Sequence, residues 1–268
     1  MVDEHDVKLP DGTVVEDGLK FRNEFHLNPL SSADFFVPCG GRPEAVDINN
    51  VHQLLDANEK PRFAYIVEGA NLFFTQDARL RLERAGAIIF KDASANKGGV
   101  TSSSLEVLAA LAFTDEEFSR HMQVTEGIVP DFYAAYIKCV HEIIERNARL
   151  EFECLWKEHA AKPDHPISLL SDELSCAILR LNEELQDAPV LWDNQSLRHL
   201  VLSEAIPPLL VEKVGGLDVI LGRLPESYVR ALFGSYLASR FVYEYGVAPS
   251  QFAFFDFMAS YYNRLGSP

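Results

Sequence analysis

Residues 91–104, KDASANKGGVTSSS, place an amide, an ammonium, two glycines and four consecutive hydroxyls, Thr101 to Ser104, before the helical pattern LEVLAALAF. Those residue types suit recognition of an anion such as a carboxylate or a phosphate. Glycine admits a close backbone approach, and a helix N-terminus offers unpaired N–H groups and the positive end of its dipole. Two other loops have the same character, Pro38-Cys-Gly-Gly-Arg-Pro43 and Glu68-Gly-Ala-Asn71, and each of the three follows a short β-prone run. In open α/β sheets ligands bind outside the carboxyl ends of the strands, so the loops together outline one wall of a crevice. Ser103-Ser-Leu-Glu106 also reads as a capping box, with Glu106 returning to the Ser103 amide. Spacing alone leaves helix cap and anion site both open. Lys97 reads more readily as an exposed loop charge than as a catalytic amine. His141-Glu-Ile-Ile-Glu145 lacks the second histidine of a zinc-binding helix, and the eight histidines form no ligand cluster, so no metal is expected.

The elements that must position these loops follow from hydrophobic periodicity. Strands are predicted over 34–37, 63–67 and 87–90, with a helix from Thr75, its N-cap, to Ala85, and Gly86 as its stop. Strands alternating with helices predict a parallel α/β sheet. Two Asp-Gly pairs, at 11–12 and 17–18, punctuate the segments VKL, TVV and LKF, which read as a small hairpin excursion. Beyond about residue 105 the pattern is helical throughout, which sets a boundary near 115 and two regions, 1–115 and 116–268. Thr114-Asp-Glu-Glu117 is a capping box, and Pro130 opens a helix running to about His159. At about 1.5 Å per residue that helix exceeds roughly 40 Å, a length suited to crossing a domain or meeting a neighbouring subunit. Further helices are predicted at 171–186, 196–205 and 226–245, with Gly215-Gly216 as a helix stop and the stretch from Gly234 as packing. There is no GxGxxG or GxxxxGK[ST] motif, and three strands are few for a self-contained doubly wound nucleotide domain.

Composition narrows the function classes. The chain has 268 residues, 47% of them hydrophobic, ample for a core. A net charge of -16 disfavours a broad non-specific grip on nucleic acid or anionic lipid and favours small molecules or other protein chains as partners. Cys39, Cys139, Cys154 and Cys176 lie far apart, which reads as reduced thiols in an intracellular compartment. No apolar run approaches the roughly 20 residues a bilayer requires, and the acidic start MVDEHDVKLPDG is neither a signal peptide nor a typical transit peptide.

The stretch YIVEGANLFFTQDARLRLERAGAIIFKDASANKGGVTSSSLEVLAALAF resembles the coenzyme-domain end of glutamate dehydrogenases, in particular the large NAD-specific class found in fungi. FHLNPLSSADFFVPCGGRPEAV and FGSYLASRFVYEYGVAPSQFAFFDFM resemble the same class, so the likeness covers essentially the whole chain. It implies an α/β fold: part of a doubly wound, Rossmann-like parallel sheet, followed by an all-helical C-terminal region. Residues 1–115 then correspond to the C-terminal half of an NAD-binding domain. The resemblance places Asn71 at the nicotinamide-ribose part of NAD with Gly69 beside it, Cys39 and Gly40 along the same part, and Asn96 near the nicotinamide. It places Val100 and Ser103 in the glutamate pocket, the serine hydroxyl meeting the side-chain carboxylate. Lys97 stands where smaller members carry alanine and does not match their catalytic lysine. The family's substrate-binding and water-activating lysines, its proton-shuttling aspartate and its phosphate-binding glycine turn lie upstream and have no match here, so no catalytic residue is assigned. The implied activity is oxidative deamination of L-glutamate to 2-oxoglutarate and ammonia with NAD, in a longer homo-oligomeric enzyme of the cytoplasm or mitochondrion. This chain by itself is expected to be inactive. The alternative is a non-catalytic helical interaction or assembly module that kept the family's scaffold.

Overall fold

The computed structural model describes residues 5–266; residues 1–4, the start of the acidic N-terminal segment, and 267–268 lie outside them. The chain divides into a sheet unit, residues up to 96 together with 164–169, and a helical unit, residues 97–163 and 170 onward.

In the sheet unit, β1 (Val7–Lys8) pairs antiparallel with β2 (Val14–Val15), Val7 opposite Val15. The turn between them is tied by the Asp11 carboxylate, which accepts from the Thr13 amide at 3.0 Å. The segment LKF, expected to join this excursion, instead lies in α1 (Gly18–Glu24), because the Asp17 carboxylate accepts from the Lys20 amide and caps a helix there. After it come β3 (Ala33–Phe36), β4 (Phe63–Val67), α2 (Gln76–Arg84), β5 (Ile88–Phe90) and the short α3 (Asp92–Ala95). The three strands form a parallel sheet in the order β3-β4-β5, with Phe35 opposite Tyr65 and Tyr65 opposite Ile88. An α-helix separates β4 from β5 as expected. Between β3 and β4 there is a single 3-10 turn, Val51–Leu54, preceded by Asp47, whose carboxylate takes the amides of Asn49 and Asn50.

The core of this unit gathers Val46, Leu54, Phe63, Ile66, Phe74, Leu82 and Ile89. Thr75 accepts from the Ala78 amide at 3.4 Å and opens α2 as the sequence predicts. Glu83, near the end of α2, accepts from the amide and hydroxyl of buried Ser168 at 2.9 and 2.6 Å, satisfying donors at the start of α7 (Ile167–Gln186). Burial raises the Glu83 carboxyl above its ordinary range, and the Ser168 bonds oppose that rise.

The helical unit contains α4 (Gly98–Ala112), α5 (Asp115–His121), α6 (Asp131–Ala161), the rest of α7, α8 (Pro189–Trp192), α9 (Gln195–Ala205), α10 (Pro208–Val214), α11 (Leu217–Arg223), α12 (Glu226–Tyr245) and α13 (Ala253–Gly266). The predicted capping box forms: the Thr114 hydroxyl accepts from the Glu117 amide at 3.3 Å, and the Glu117 carboxylate accepts from the Thr114 amide at 2.8 Å. The 31 residues of α6 extend about 46 Å at the usual helical rise. Gly215, with φ +100°, ends α10 where the sequence predicts a stop. Val229, Phe233, Leu237 and Phe241 bury one face of α12. Trp192 is buried beneath the guanidiniums of Arg198 and Arg230, 4.8 and 4.4 Å from its ring. The units part between Asn96 and Lys97, whereas the sequence sets its boundary near 115, because α4 packs against α5, α6 and α11. Among the described residues no helix is long and apolar enough to cross a membrane.

Candidate functional site

The parallel register aligns the carboxyl ends of the three strands, Phe36 beside Ile66 and Val67 beside Phe90, so the loops that follow emerge on the same edge. The first two loops touch. The Pro38 carbonyl accepts from the Ala70 amide at 2.7 Å, and a Cβ on Gly69 would lie 3.1 Å from Cys39 Sγ and 3.2 Å from the Pro38 oxygen. Gly69 therefore admits a loop contact that a side chain would push apart. Cys39 and Gly40 are exposed beside it. The second and third loops are joined by a side-chain bond, Asn96 Nδ2 donating to Asn71 Oδ1 at 2.6 Å. Thus Cys39, Gly40, Gly69, Asn71 and Asn96 all come to one sheet edge. After their mutual bond, Asn71 keeps amide hydrogens to donate and Asn96 keeps a carbonyl oxygen to accept, a combination that matches a carboxamide.

What holds this edge in place was not singled out from the sequence. Glu68 is fully buried and accepts from Arg79 Nε at 2.7 Å and Nη2 at 2.8 Å, a bidentate pair. Arg79 also reaches Asp92 at 3.5 Å, and Asp92 accepts from the Leu72 amide at 2.7 Å. The EGAN loop and the start of α3 therefore share one charge network. Burial raises the Glu68 carboxyl above its ordinary range, while the Arg79 bonds and charge pull it down. The available signal was Arg79 itself, an arginine falling between Ala78 and Leu82 on the buried face of α2.

In the helical unit, Val100 is 69% exposed and Ser103 is exposed as well. The expected capping box at Ser103 does not form. The helix starts at Gly98, the Thr101 amide already donates to the Lys97 carbonyl at 3.0 Å, and Ser103 lies within the helix. Its hydroxyl is shared between the carbonyls of Gly99 and Val100, at 2.9 and 3.1 Å. Lys97 is likewise not an isolated exposed charge: its Nζ lies 2.6 Å from both oxygens of Glu151, whose side chain is 3% exposed. The Tyr243 hydroxyl donates to the same carboxylate at 2.8 Å. Burial, reinforced by the Glu151 charge, pushes the Tyr243 phenol well above its ordinary range. The Tyr136 hydroxyl donates to the Leu105 carbonyl at 2.8 Å, so α4 is tied to α6 at a second point. Among the described residues no group of His, Cys, Asp and Glu has the arrangement to hold a metal ion.

The chain matches the family model described as glutamate/leucine/phenylalanine/valine dehydrogenase over residues 7–162. It is similar to glutamate dehydrogenase 2 of Dictyostelium discoideum, 61% identical over 257 residues, which is 96% of this chain and 24% of the relative. It is similar to the NAD-specific glutamate dehydrogenase of Neurospora crassa, 57% identical over 268 residues, 100% of this chain and 25% of that protein. With the NAD-specific glutamate dehydrogenase of Saccharomyces cerevisiae it shares 44% identity over 263 residues, 96% of this chain and 24% of that protein. The chain spans about a quarter of the length of these relatives. No solved structure matches it significantly. The chain belongs to the glutamate/leucine/phenylalanine/valine dehydrogenase family.

Proposed function

We propose that this member of the glutamate/leucine/phenylalanine/valine dehydrogenase family is the coenzyme- and glutamate-positioning part of an NAD-specific glutamate dehydrogenase. The activity is oxidative deamination of L-glutamate to 2-oxoglutarate and ammonia, carried by a longer intracellular homo-oligomer. The observation that carries this reading is the meeting of the strand-end loops around Gly69 and the Asn71–Asn96 bond, in a chain so similar to enzymes of that name.

The residues fit the coenzyme. Gly69 and Gly40 keep the loop surface clear of side chains, and the asparagine pair retains one acceptor and its donors for a carboxamide and a ribose. When bound, NAD supplies the hydride acceptor. Asn71 and Asn96 orient, while Cys39, Gly40 and Gly69 admit the ligand to the backbone. The buried Glu68–Arg79 pair holds their loop fixed, so little order is lost when ligand arrives. Val100 and Ser103 face the substrate, the serine turning its hydroxyl from its own helix carbonyls toward a carboxylate. Acid–base groups come from outside this chain. On this reading the sheet unit, residues up to 96 with 164–169, belongs to the coenzyme domain, and the helical unit from residue 97 carries the C-terminal helical region.

The test uses steady-state kinetics of the longer polypeptide containing this chain. Ser103→Ala is expected to raise KM for glutamate about tenfold with KM for NAD unchanged, and Asn71→Ala to raise KM for NAD. An unchanged glutamate KM in Ser103→Ala sinks the substrate assignment, and NADH formation by the 268-residue chain alone sinks the division of labour.

A further inference from the structure

A cleft of about 1040 Å³ opens within the helical unit, walled by α4, α6, α9 and α12. That is the size of a small-molecule pocket. The whole chain carries a net charge of -16, yet Arg146 of α6 and Arg240 of α12 both line this cleft. Arg146 makes no ion pair or hydrogen bond among the described residues. Arg240 gives Nη2 to Asn147 Oδ1 and lies 5.1 and 5.9 Å from the ring centres of Tyr236 and Tyr243. Its Nε is buried without an acceptor, an uncommon condition for a guanidinium.

The neighbouring carboxylates do not neutralise the pair. Glu204 is taken by Arg264 and by the hydroxyls of Tyr236 and Tyr261, and Glu151 by Lys97 and Tyr243. Glu142 remains as a single negative charge on the wall against two guanidiniums. Burial is the main cause that holds Arg240 below the usual arginine range, and the positive charge of Arg146 acts in the same direction. A planar guanidinium fork matches carboxylate or phosphate oxygens, and an oxyanion between two of them relieves their repulsion. Beside the arginines the wall is apolar, formed by Leu105, Ile143 and Pro208.

We infer that this cleft binds a small molecule bearing a carboxylate or phosphate group, the oxyanion bridging Arg146 and Arg240 and the uncharged body resting on the apolar wall. Val100, proposed above for the glutamate pocket, also lines this cleft, whereas neither arginine belongs to that assignment; Arg146→Met therefore tests the cleft apart from the dehydrogenase reading.

The experiment is isothermal titration of the 268-residue chain with inorganic phosphate and, separately, with succinate. Saturable binding of at least one is expected, weakened about tenfold or more by Arg146→Met and by Arg240→Met. Arg149→Met, which removes a guanidinium paired with Glu145 elsewhere on α6, is expected to leave binding unchanged. Arg146 is exposed and its replacement leaves the core intact, so that variant decides the matter even where Arg240→Met unfolds. Phosphate binding assigns a phosphorylated ligand and succinate binding a carboxylic acid; either supports the site. No saturable binding of either up to about 20 mM, or unweakened binding by Arg146→Met, overturns it.

Discussion

Glu68 in the sheet unit and Glu151 in the helical unit are both buried carboxylates, but their partners come from different ranges of the chain. Glu68 is paired with Arg79, 11 residues away, across the turn from β4 into α2. Glu151 is met by Lys97, 54 residues away, and by Tyr243, 92 residues away. The first pair stiffens the loop that follows β4, whereas the second joins the start of α4 to α6 and α12. Taking two charges out of water costs about as much as their attraction returns, so neither pair adds much net stability. What each adds is a penalty on every arrangement that leaves its carboxylate buried and alone. The same device thus fixes a loop at short range and helix register at long range.

The most severe break of this comparison is Arg79→Met, which strands Glu68 in the core. A loss of about 3–5 kcal/mol is expected in urea unfolding followed by circular dichroism at pH 8. The loss depends on pH. Glu68 has its folded value raised above 4.5, so the stability linked to it is complete below 4.5 and is lost as pH rises through the folded value. Removing Arg79 pushes that value further up, so the variant's deficit shrinks as pH falls. A deficit that is constant with pH would mean that Glu68 is not the group left unpaired. Lys97→Met is expected to cost less, about 2 kcal/mol, because the lysine side chain is 39% exposed and solvent screens its pair. An effect equal to that of Arg79→Met would erase the distinction drawn between the two carboxylates.

A smaller change sharpens the description of the loops. Gly69→Ala inserts a Cβ 3.1 Å from Cys39 Sγ and 3.2 Å from a backbone oxygen, and a cost of about 1 kcal/mol is expected. Stability at or above that of the parent would show that the two loops have room to part. Ser103→Ala lies at the other end of the scale. Its hydroxyl serves its own helix, so stability in the same urea assay should stay within about 0.5 kcal/mol; a larger loss would point to a contact beyond that helix.

Local chemistry explains which features were legible in the sequence. The three strands, the Thr75 cap, the Thr114–Glu117 capping box and the Gly215 stop each depend on residues within a few positions of one another. The strand-end loops were legible by composition, since glycine and small polar residues follow each β-prone run. The misreadings occurred where a distant or competing contact decides. LKF reads as a strand until Asp17 is recognised as a helix cap. Ser103-Ser-Leu-Glu106 reads as a helix start, yet Gly98 and Gly99 are already helical, with Lys97 just before them tied to Glu151. Nothing near Lys97 in sequence announces a carboxylate on another helix. The Asn71–Asn96 bond likewise follows from the parallel register, which periodicity does not specify.

Both tryptophans of the chain fall in the helical unit: Trp192, buried beneath Arg198 and Arg230, and the more exposed Trp156, stacked on Phe152 at 5.9 Å. Their emission is consequently a private signal of the helices, and the strand-end loops are dark in that channel. An unfolding curve read by tryptophan emission can remain flat while Asn71 and Asn96 are already released. With Cys176, the exposed thiol of the helical unit, and half-buried Cys139 replaced by serine, a fluorophore on exposed Cys39 would give the sheet unit a colour of its own, and the gap between the two curves would measure how independently the units melt.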